Sequence, residues 1–513
     1  MTFSGISRAR RPVLAAALAL GLASIAVGTG MRGKVVAAQP ATPPAVLCGN
    51  LVRLTLAPQL SRSFDLAQPN AQIEADCIAW QSFIALNWPV AANAPCEPDG
   101  TAPVSDFGKP NGVDAVWESY PVASSLFTAN PSFCTPAARA RTPVKILRSV
   151  SKLGDSVIVL NGVPMEAFST WLTDQAHGLT YYEIHVNKDE ADYIKFNGLN
   201  TIPGQAVCAA EPGGLILPRG LNDTDCNGKA HTYGDNVGSI ETKSSWIAID
   251  PSQSNRYFTA KALIYPPSGS GPPRSATVGL VGMHIVRKMP GANRMVWATF
   301  EHVDNDPDAP NGRPLPRAGK RYNYYNPRCN PSTDPLQCAL NSPPPTSAPY
   351  TASVQVARLH PIGSKAKSVN VLAYKLIRQN APNSVFLNYQ LVDAMWPTAL
   401  TGDIKPGSAA PLVLNNMTSE SRAMANTTME TYFQTVPAND TSGSQLCLNC
   451  HAFATIATPS TAQRTARTPA GRPARLIQIG TRPRAQPANG AAPSPTATPY
   501  ASDYSFIFEF LGQ

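Results

Sequence analysis

Cys447-Leu448-Asn449-Cys450-His451 places two thiols three positions apart, with an imidazole directly behind the second. On a nascent helix, thiols at that spacing reach the two vinyl groups of one porphyrin and form thioether bonds. The next histidine then lies under the ring and offers a nitrogen to iron, which is the C-x-x-C-H attachment pattern of c-type haem. Competing chemistries fit less well. A zinc site needs four ligands, and no second Cys/His cluster of suitable spacing lies nearby. A thioredoxin-like pair needs a strand before it, whereas Thr441-Ser442-Gly443-Ser444 reads as a loop. A disulfide between the two cysteines leaves His451 as coincidence. The expectation is one covalent haem c held by Cys447 and Cys450, with His451 as the proximal iron ligand.

The sixth ligand is harder to place. The 62 residues after His451 contain no Met, His or Lys. The iron partner is therefore an upstream His or Met, a downstream tyrosine (Tyr500 or Tyr504), or an open or water-filled position. Met424 and Met429 stand closest, in a stretch read as a helix over 419–435. Six other histidines exist: His177, His185, His231, His284, His302 and His360. His284 and His302 fall in two apolar stretches, 278–287 and 294–303, joined by a hairpin-like turn at 288–293. If these strands pair, both histidines lie on one sheet, near Glu301. The distal candidates are His284, His302, Met424 and Met429.

Residues 1–38 read as an export signal: Arg8, Arg10 and Arg11, an Ala/Leu-rich core over 13–27, and Val36-Ala37-Ala38 before Gln39. Arg32 and Lys34 are irregular there and leave N-terminal anchoring open. An exported chain suits c-type haem, which is attached outside the bacterial cytoplasm, so a periplasmic or secreted location is expected. The formal charge of +9 falls to +4 without this segment, which carries five basic residues and no acid. Such a balance gives no reason to expect nucleic acid. No later apolar run of about 18 residues occurs, so no membrane span is expected in the mature chain.

Setting the motif aside leaves Cys48, Cys77, Cys96, Cys134, Cys208, Cys226, Cys329 and Cys338. An even set in an exported chain suggests four disulfides. Sequence order gives 48–77, 96–134, 208–226 and 329–338, the last two flanking short loop-like segments.

The 50 prolines and 35 glycines point to an α+β fold, predominantly β with disulfide-braced loops, carrying a small helical haem-attachment region near the C-terminus. Helical spacing over 74–88 is stopped by Pro89. Strands are expected at 157–160, 180–186, 245–250, 257–265, 278–287 and 294–303. Residues 369–379 read as a helix and 384–396 as strand or helix. The domain reading is a signal over 1–38, a β-rich body over 39–405, and a haem-attachment region over 406–513 packed on it. The last contains an Arg/Pro-rich loop over 458–500, in which six arginines meet no acid from 458 to 486. That loop is either solvated or a cationic surface for haem propionates or an anionic partner. Asp304-Asn305-Asp306-Pro307-Asp308 has oxygen-rich alternation that can hold calcium, but lacks the glycine and distant glutamate of a full calcium loop. No phosphate-cradling glycine loop, H-E-x-x-H helix or G-x-S-x-G elbow occurs, so hydrolase and nucleotide chemistries have no motif.

The attachment motif makes the C-terminal part resemble c-type cytochromes. Residues 80–89 (WQSFIALNWP), 181–194 (YYEIHVNKDEADYI), 297–307 (WATFEHVDNDP) and the late CLNCH are similar to a group of uncharacterised exported bacterial proteins with one C-terminal C-x-x-C-H. That likeness implies a large β-rich body bearing a single haem, and brings no activity with it. Three functions follow as expectations: electron transfer by an exported mono-haem cytochrome; a peroxidase-like or substrate-oxidising haem enzyme with open iron; and haem-based sensing or binding. The partner is correspondingly a redox protein or a small-molecule substrate, and the catalytic residues are unassigned.

Overall fold

Sixteen of the 513 residues form the first long helix, α1 (Ala71–Leu86), and its sequence explains its place. It carries apolar residues on nearly every face and is buried along almost its whole length, the pattern of a helix at the centre of a fold. Asn87 closes it by donating from Nδ2 to the Phe83 carbonyl at 2.9 Å, and Pro89 forbids continuation.

The computed structural model describes residues 42–50, 52–61, 71–110, 113–128, 134, 145–147, 171–265, 272–290, 292–343, 352–397, 407–408, 417–418, 424–434, 447, 451–452, 454–457 and 500–510. The expected leader, the strand at 157–160, Cys450 and nearly all of the Arg/Pro-rich loop lie outside these. Two small hairpins come early: β1 (Ala45–Cys48) with β2 (Val52–Thr55), and β3 (Val90–Ala91) with β4 (Ala94–Pro98). The main sheet has eight strands: β5 (Lys145–Leu147), β6 (Tyr181–Val186), β7 (Ile240–Ala248), β8 (Thr259–Ile264), β9 (Arg274–Met289), β10 (Ala292–His302), β11 (Tyr389–Pro397) and β12 (Met417–Thr418). Its main path runs β12-β11-β10-β9-β7-β6, with β8 also on β9 and β5 parallel to β8; every other pairing is antiparallel.

Register decides what each face carries. Ile184 pairs with Lys243, Lys243 with His284, and His284 with Thr299, so one row of four side chains crosses β6, β7, β9 and β10 on the same face. The neighbours one step along, Met283, Ile285, Ala298 and Phe300, point the other way. There they join one core with Trp80, Phe83 and Ile84 of α1 and Val369, Ala373 and Ile377 of α4 (Ser364–Asn380). Phe83 stacks on Phe300 with ring centres 4.4 Å apart. Trp80 donates from Nε1 to Asn370 Oδ1 at 2.8 Å, and Asn370 exchanges two hydrogen bonds with the Leu391 backbone, tying α1, α4 and β11 together.

On the opposite face a second core joins α2 (Lys188–Phe196) and α3 (Ile202–Ala210) to Val286, Trp297 and Met395 of the sheet. Met424, Ala452, Ile456, Tyr504, Ile507 and Phe508 from the C-terminal region belong to it as well. Neither α2 nor α3 is anticipated from sequence; both are short and start at side-chain caps, Asn187 accepting from Glu190 N and Thr201 from Gly204 N. The helix expected over 419–435 is corrected: residues 424–434 form turns and one 3-10 turn (Thr431–Phe433). Asn426 Oδ1 accepts from both Thr428 N and Thr428 Oγ1, and Thr427 N donates to Glu301, so side chains take the bonds a helix would make. Residues 384–396 resolve into a 3-10 turn (Val385–Asn388) followed by β11.

All four expected disulfides are present, 48–77, 96–134, 208–226 and 329–338. Among the described residues no helix is long and apolar enough to cross a membrane.

Because Phe83 of α1 is fully buried against Phe300 of the sheet, Phe83→Ala should lower unfolding stability by about 3–5 kcal/mol. Urea denaturation checks this; a change below about 1 kcal/mol would mean that the α1–sheet contact does not hold the fold.

Candidate functional site

Ile184, Lys243, His284, Val286 and Trp297 form one wall of a small cavity on the sheet face opposite α1, and Cys447, His451, Phe506 and Ile507 face them. The residues expected at 447 and 451 to work together thus line one space, and His284 lines it too.

The chain positions His451 from its own far end. Its Nδ1 lies 2.7 Å from the Tyr504 carbonyl oxygen. A carbonyl can only accept, so Nδ1 carries the proton and the ring's lone pair sits on Nε2. The imidazole is further bracketed by Trp297, at 5.6 Å between ring centres, and Phe506, at 5.0 Å. The Tyr504 carbonyl is aimed by two successive residues in left-handed conformation, Asp503 (φ 52°) and Tyr504 (φ 68°). Asp503 Oδ2 accepts from Leu217 N at 2.8 Å and from Lys288 Nζ, deep in the protein. Residues 454–457 are bound to the same tail: Ile456 N donates to Tyr500 O, Ser502 N to Ala454 O, and Thr455 to Glu509 through both N and Oγ1.

This support was only half visible in the sequence. Tyr504 stands there as a possible iron ligand, but its backbone carbonyl orients His451 and its buried side chain packs edge-on against Trp297 at 6.0 Å. The available signal was Asp503, an acid ahead of an apolar run. Its partners Leu217 and Lys288 are more than two hundred residues away, and no local pattern reports them.

Across the cavity, His284 is 7% exposed at its side chain, and its Nε2 lies 3.1 Å from Glu430 Oε1. Glu430 Oε2 in turn accepts from Asn426 N at 2.8 Å. His284 and His302 do lie on paired strands of one sheet, as expected, but on opposite faces. His302 is buried on the α1 side, where Nε2 meets the Arg256 carbonyl at 2.9 Å, Nδ1 accepts from Asp304 N at 3.1 Å, and the ring stacks on Tyr257. Burial holds its pKa down at about 4. Both ring nitrogens are thus occupied away from the cavity. Met424 belongs to the second core and Met429 is fully buried, and neither lines the cavity. His185 sits on the α1 side, where its Nδ1 meets the Tyr120 carbonyl. His177 meets Ser353, and His231 stacks on Phe196.

The acidic loop at 304–308 does not converge. Asp304 pairs with Arg256 and Lys320, whereas Asp308 pairs with Arg358, which also holds Glu301. Among the described residues no three His, Cys, Asp or Glu side chains gather as a metal site.

One buried acid lines the cavity, and a second acts on it electrostatically. Glu241 lines it, and burial, reinforced by Asp503, raises its pKa to about 6 against the pull of Ser505 and Lys243. Glu190, on α2, is fully buried and is pushed well above the carboxylate range by burial and by Glu241. No family model matches this chain, and neither does a curated protein or a solved structure.

Glu241 predicts a pH signature. With its folded pKa above the unfolded value, the folded state binds more protons across about pH 4.5–6, so its contribution to stability falls as pH rises through that window. Glu241→Gln should remove this slope and raise stability above pH 6 by on the order of 1 kcal/mol. Chemical denaturation at a series of pH values reads it; an unchanged slope in the variant would refute the assignment.

Proposed function

We propose that this protein is an exported c-type cytochrome that binds one haem covalently through Cys447 and Cys450, with His451 Nε2 toward the iron, and transfers electrons. Bound there, the haem iron supplies a one-electron ferrous/ferric couple. The observation that carries the reading is the hydrogen bond from His451 Nδ1 to the Tyr504 carbonyl. That bond fixes the tautomer and orientation an axial imidazole needs, as partners of metal-bound histidines generally do. The lining suits the group as well. Trp297, Phe506, Ile507, Ile184 and Val286 offer apolar surface to a porphyrin plane, while Lys243 gives a cation that can meet a propionate.

His284 is the residue this chain offers on the far side of the cavity. In the electron-transfer reading His284 would be a second imidazole holding the iron, and would keep exogenous ligands away from it. A second reading, a haem-dependent oxidoreductase, is favoured by the His284–Glu430 pair at 3.1 Å. A histidine held by a carboxylate can take and return a proton at a substrate beside open iron. The expected setting for both is the periplasm or the exterior, with a redox protein or a small oxidisable molecule as partner.

Absorption spectra of the haem-loaded protein, with and without carbon monoxide, separate these readings. Electron transfer predicts a low-spin spectrum unchanged by carbon monoxide, and His284→Ala should turn it high-spin and carbon-monoxide reactive. A wild type that is high-spin and binds carbon monoxide at once would contradict the electron-transfer reading and support the enzyme. A His451→Ala variant with the wild-type spectrum would overturn the proximal assignment.

A further inference from the structure

The alternation along β7 that presents Lys243 to the cavity also presents Glu241, two positions back and in one row with Val286 and Trp297. Glu241 is the charge that acts most strongly on Glu190 of α2. Glu190 is the third residue of that helix, where a glutamate commonly turns back to bond the N-cap backbone N–H. That N–H, of Asn187, donates instead to the Ile240 carbonyl at 2.9 Å. Glu190 is left fully buried, and among the described residues neither of its carboxyl oxygens finds a hydrogen-bond partner. Glu241 Oε1 is likewise buried without one.

The charges around this pair are largely committed elsewhere. Asp503 of the tail takes Lys288 of β9, both deeply buried. Asp189 of α2 accepts from the backbone N–H groups of Asp235, Val237 and Gly238. His284 of β9 meets Glu430, and His451 Nδ1 meets the Tyr504 carbonyl. Ser505 and half-buried Lys243 are what favour the Glu241 anion, and Lys243 is the one Lys or Arg among the described residues lining the cavity. Two desolvated carboxyl groups with so little compensation share one charge more readily than they carry two. With a pKa raised to about 6 by that burial, Glu241 responds to a modest change of charge nearby. Glu430 is less apt, because His284 engages its Oε1 and Asn426 N its Oε2.

We propose that Glu241 takes up one proton from solvent for each electron that enters this cavity, so that electron transfer here is proton-coupled; this rests on the reading that haem is held beside His451. A negative charge added in a low-dielectric space acts strongly on a neighbouring acid, and protonation of Glu241 cancels it. The balance is one electron and one proton. The electron comes from the redox partner and reduces ferric iron to ferrous. The proton comes from water and forms an O–H bond on the Glu241 carboxylate. Both are given up when the electron passes on.

Spectroelectrochemical titration of the haem-loaded full chain at a series of pH values tests it. The equilibrium constant for reduction should fall as pH rises, by up to about tenfold per pH unit, which is about 59 mV for one electron. That fall should be confined to a window around pH 6 and level off on either side. Glu241→Gln should keep the absorption spectrum of the wild type and lose the fall. Reduced-minus-oxidised infrared spectra of the wild type within the window should gain the C=O band of a protonated carboxyl, and those of Glu241→Gln should not. A loaded wild type whose potential ignores pH, a variant that keeps the fall, or a wild type without the carboxyl band would each overturn the proposal and leave the cytochrome reading standing. A chain that takes up no haem would overturn that reading, and this proposal with it.

Discussion

The register of four antiparallel strands is the constraint on which the rest of this structure depends. Ile184, Lys243, His284 and Thr299 share one row because β6, β7, β9 and β10 pair as they do. Side chains alternate along a strand, so a slip of one residue in β9 would carry His284 into the apolar core beneath α1 and turn Met283 and Ile285 toward the cavity. The α1 side prevents such a slip, since Phe300, Met283 and Ile285 are committed to a core with Trp80 and Phe83. Hydrophobic packing on one face thus sets the polar chemistry of the other.

Polar fastenings then fix the segments that complete the site. Glu301, on the same face as His284, is fully buried, accepts from Thr427 N and Thr427 Oγ1 at 2.7 Å each, and pairs with Arg358. Removing one member of such a buried pair generally costs about 3–5 kcal/mol, because a desolvated charge is left behind. The Thr427 bonds anchor the 424–434 turn, and that turn carries Glu430 to His284. On the other side Asp503, held by Lys288 and Leu217, anchors the tail whose carbonyl orients His451. Each histidine is therefore positioned by a segment pinned through a buried acid to a distant part of the fold.

Much of this was legible from local pattern. The helix at α1, the hairpin of β9 and β10, and all four disulfides follow from apolar spacing, turn residues and cysteine order, which are short-range signals. The attachment motif marked Cys447 and His451, and strand pairing brought His284 forward as a candidate. What was not legible depends on long-range partners or on burial of polar residues. Residues 424–434 have helical spacing, but Asn426, Thr427 and Thr428 spend their bonds on turns and on Glu301. His302 looked equivalent to His284, and only the register places it on the opposite face among Tyr257, Tyr389 and the Arg256 carbonyl. β7 begins before its apolar stretch because Glu241, Thr242, Ser244 and Ser245 are buried polar residues, which composition cannot distinguish from a loop.

The proposed function requires a haem covalently attached beside His451, on the face that carries His284. Intact-protein mass spectrometry tests it most directly, on chain produced in cells equipped for c-type haem maturation, comparing wild type with Cys447→Ala/Cys450→Ala. The wild type should carry the mass of one haem after denaturation, and the double variant none. A wild type lacking that added mass, or a double variant that retains it, would overturn covalent attachment at these cysteines.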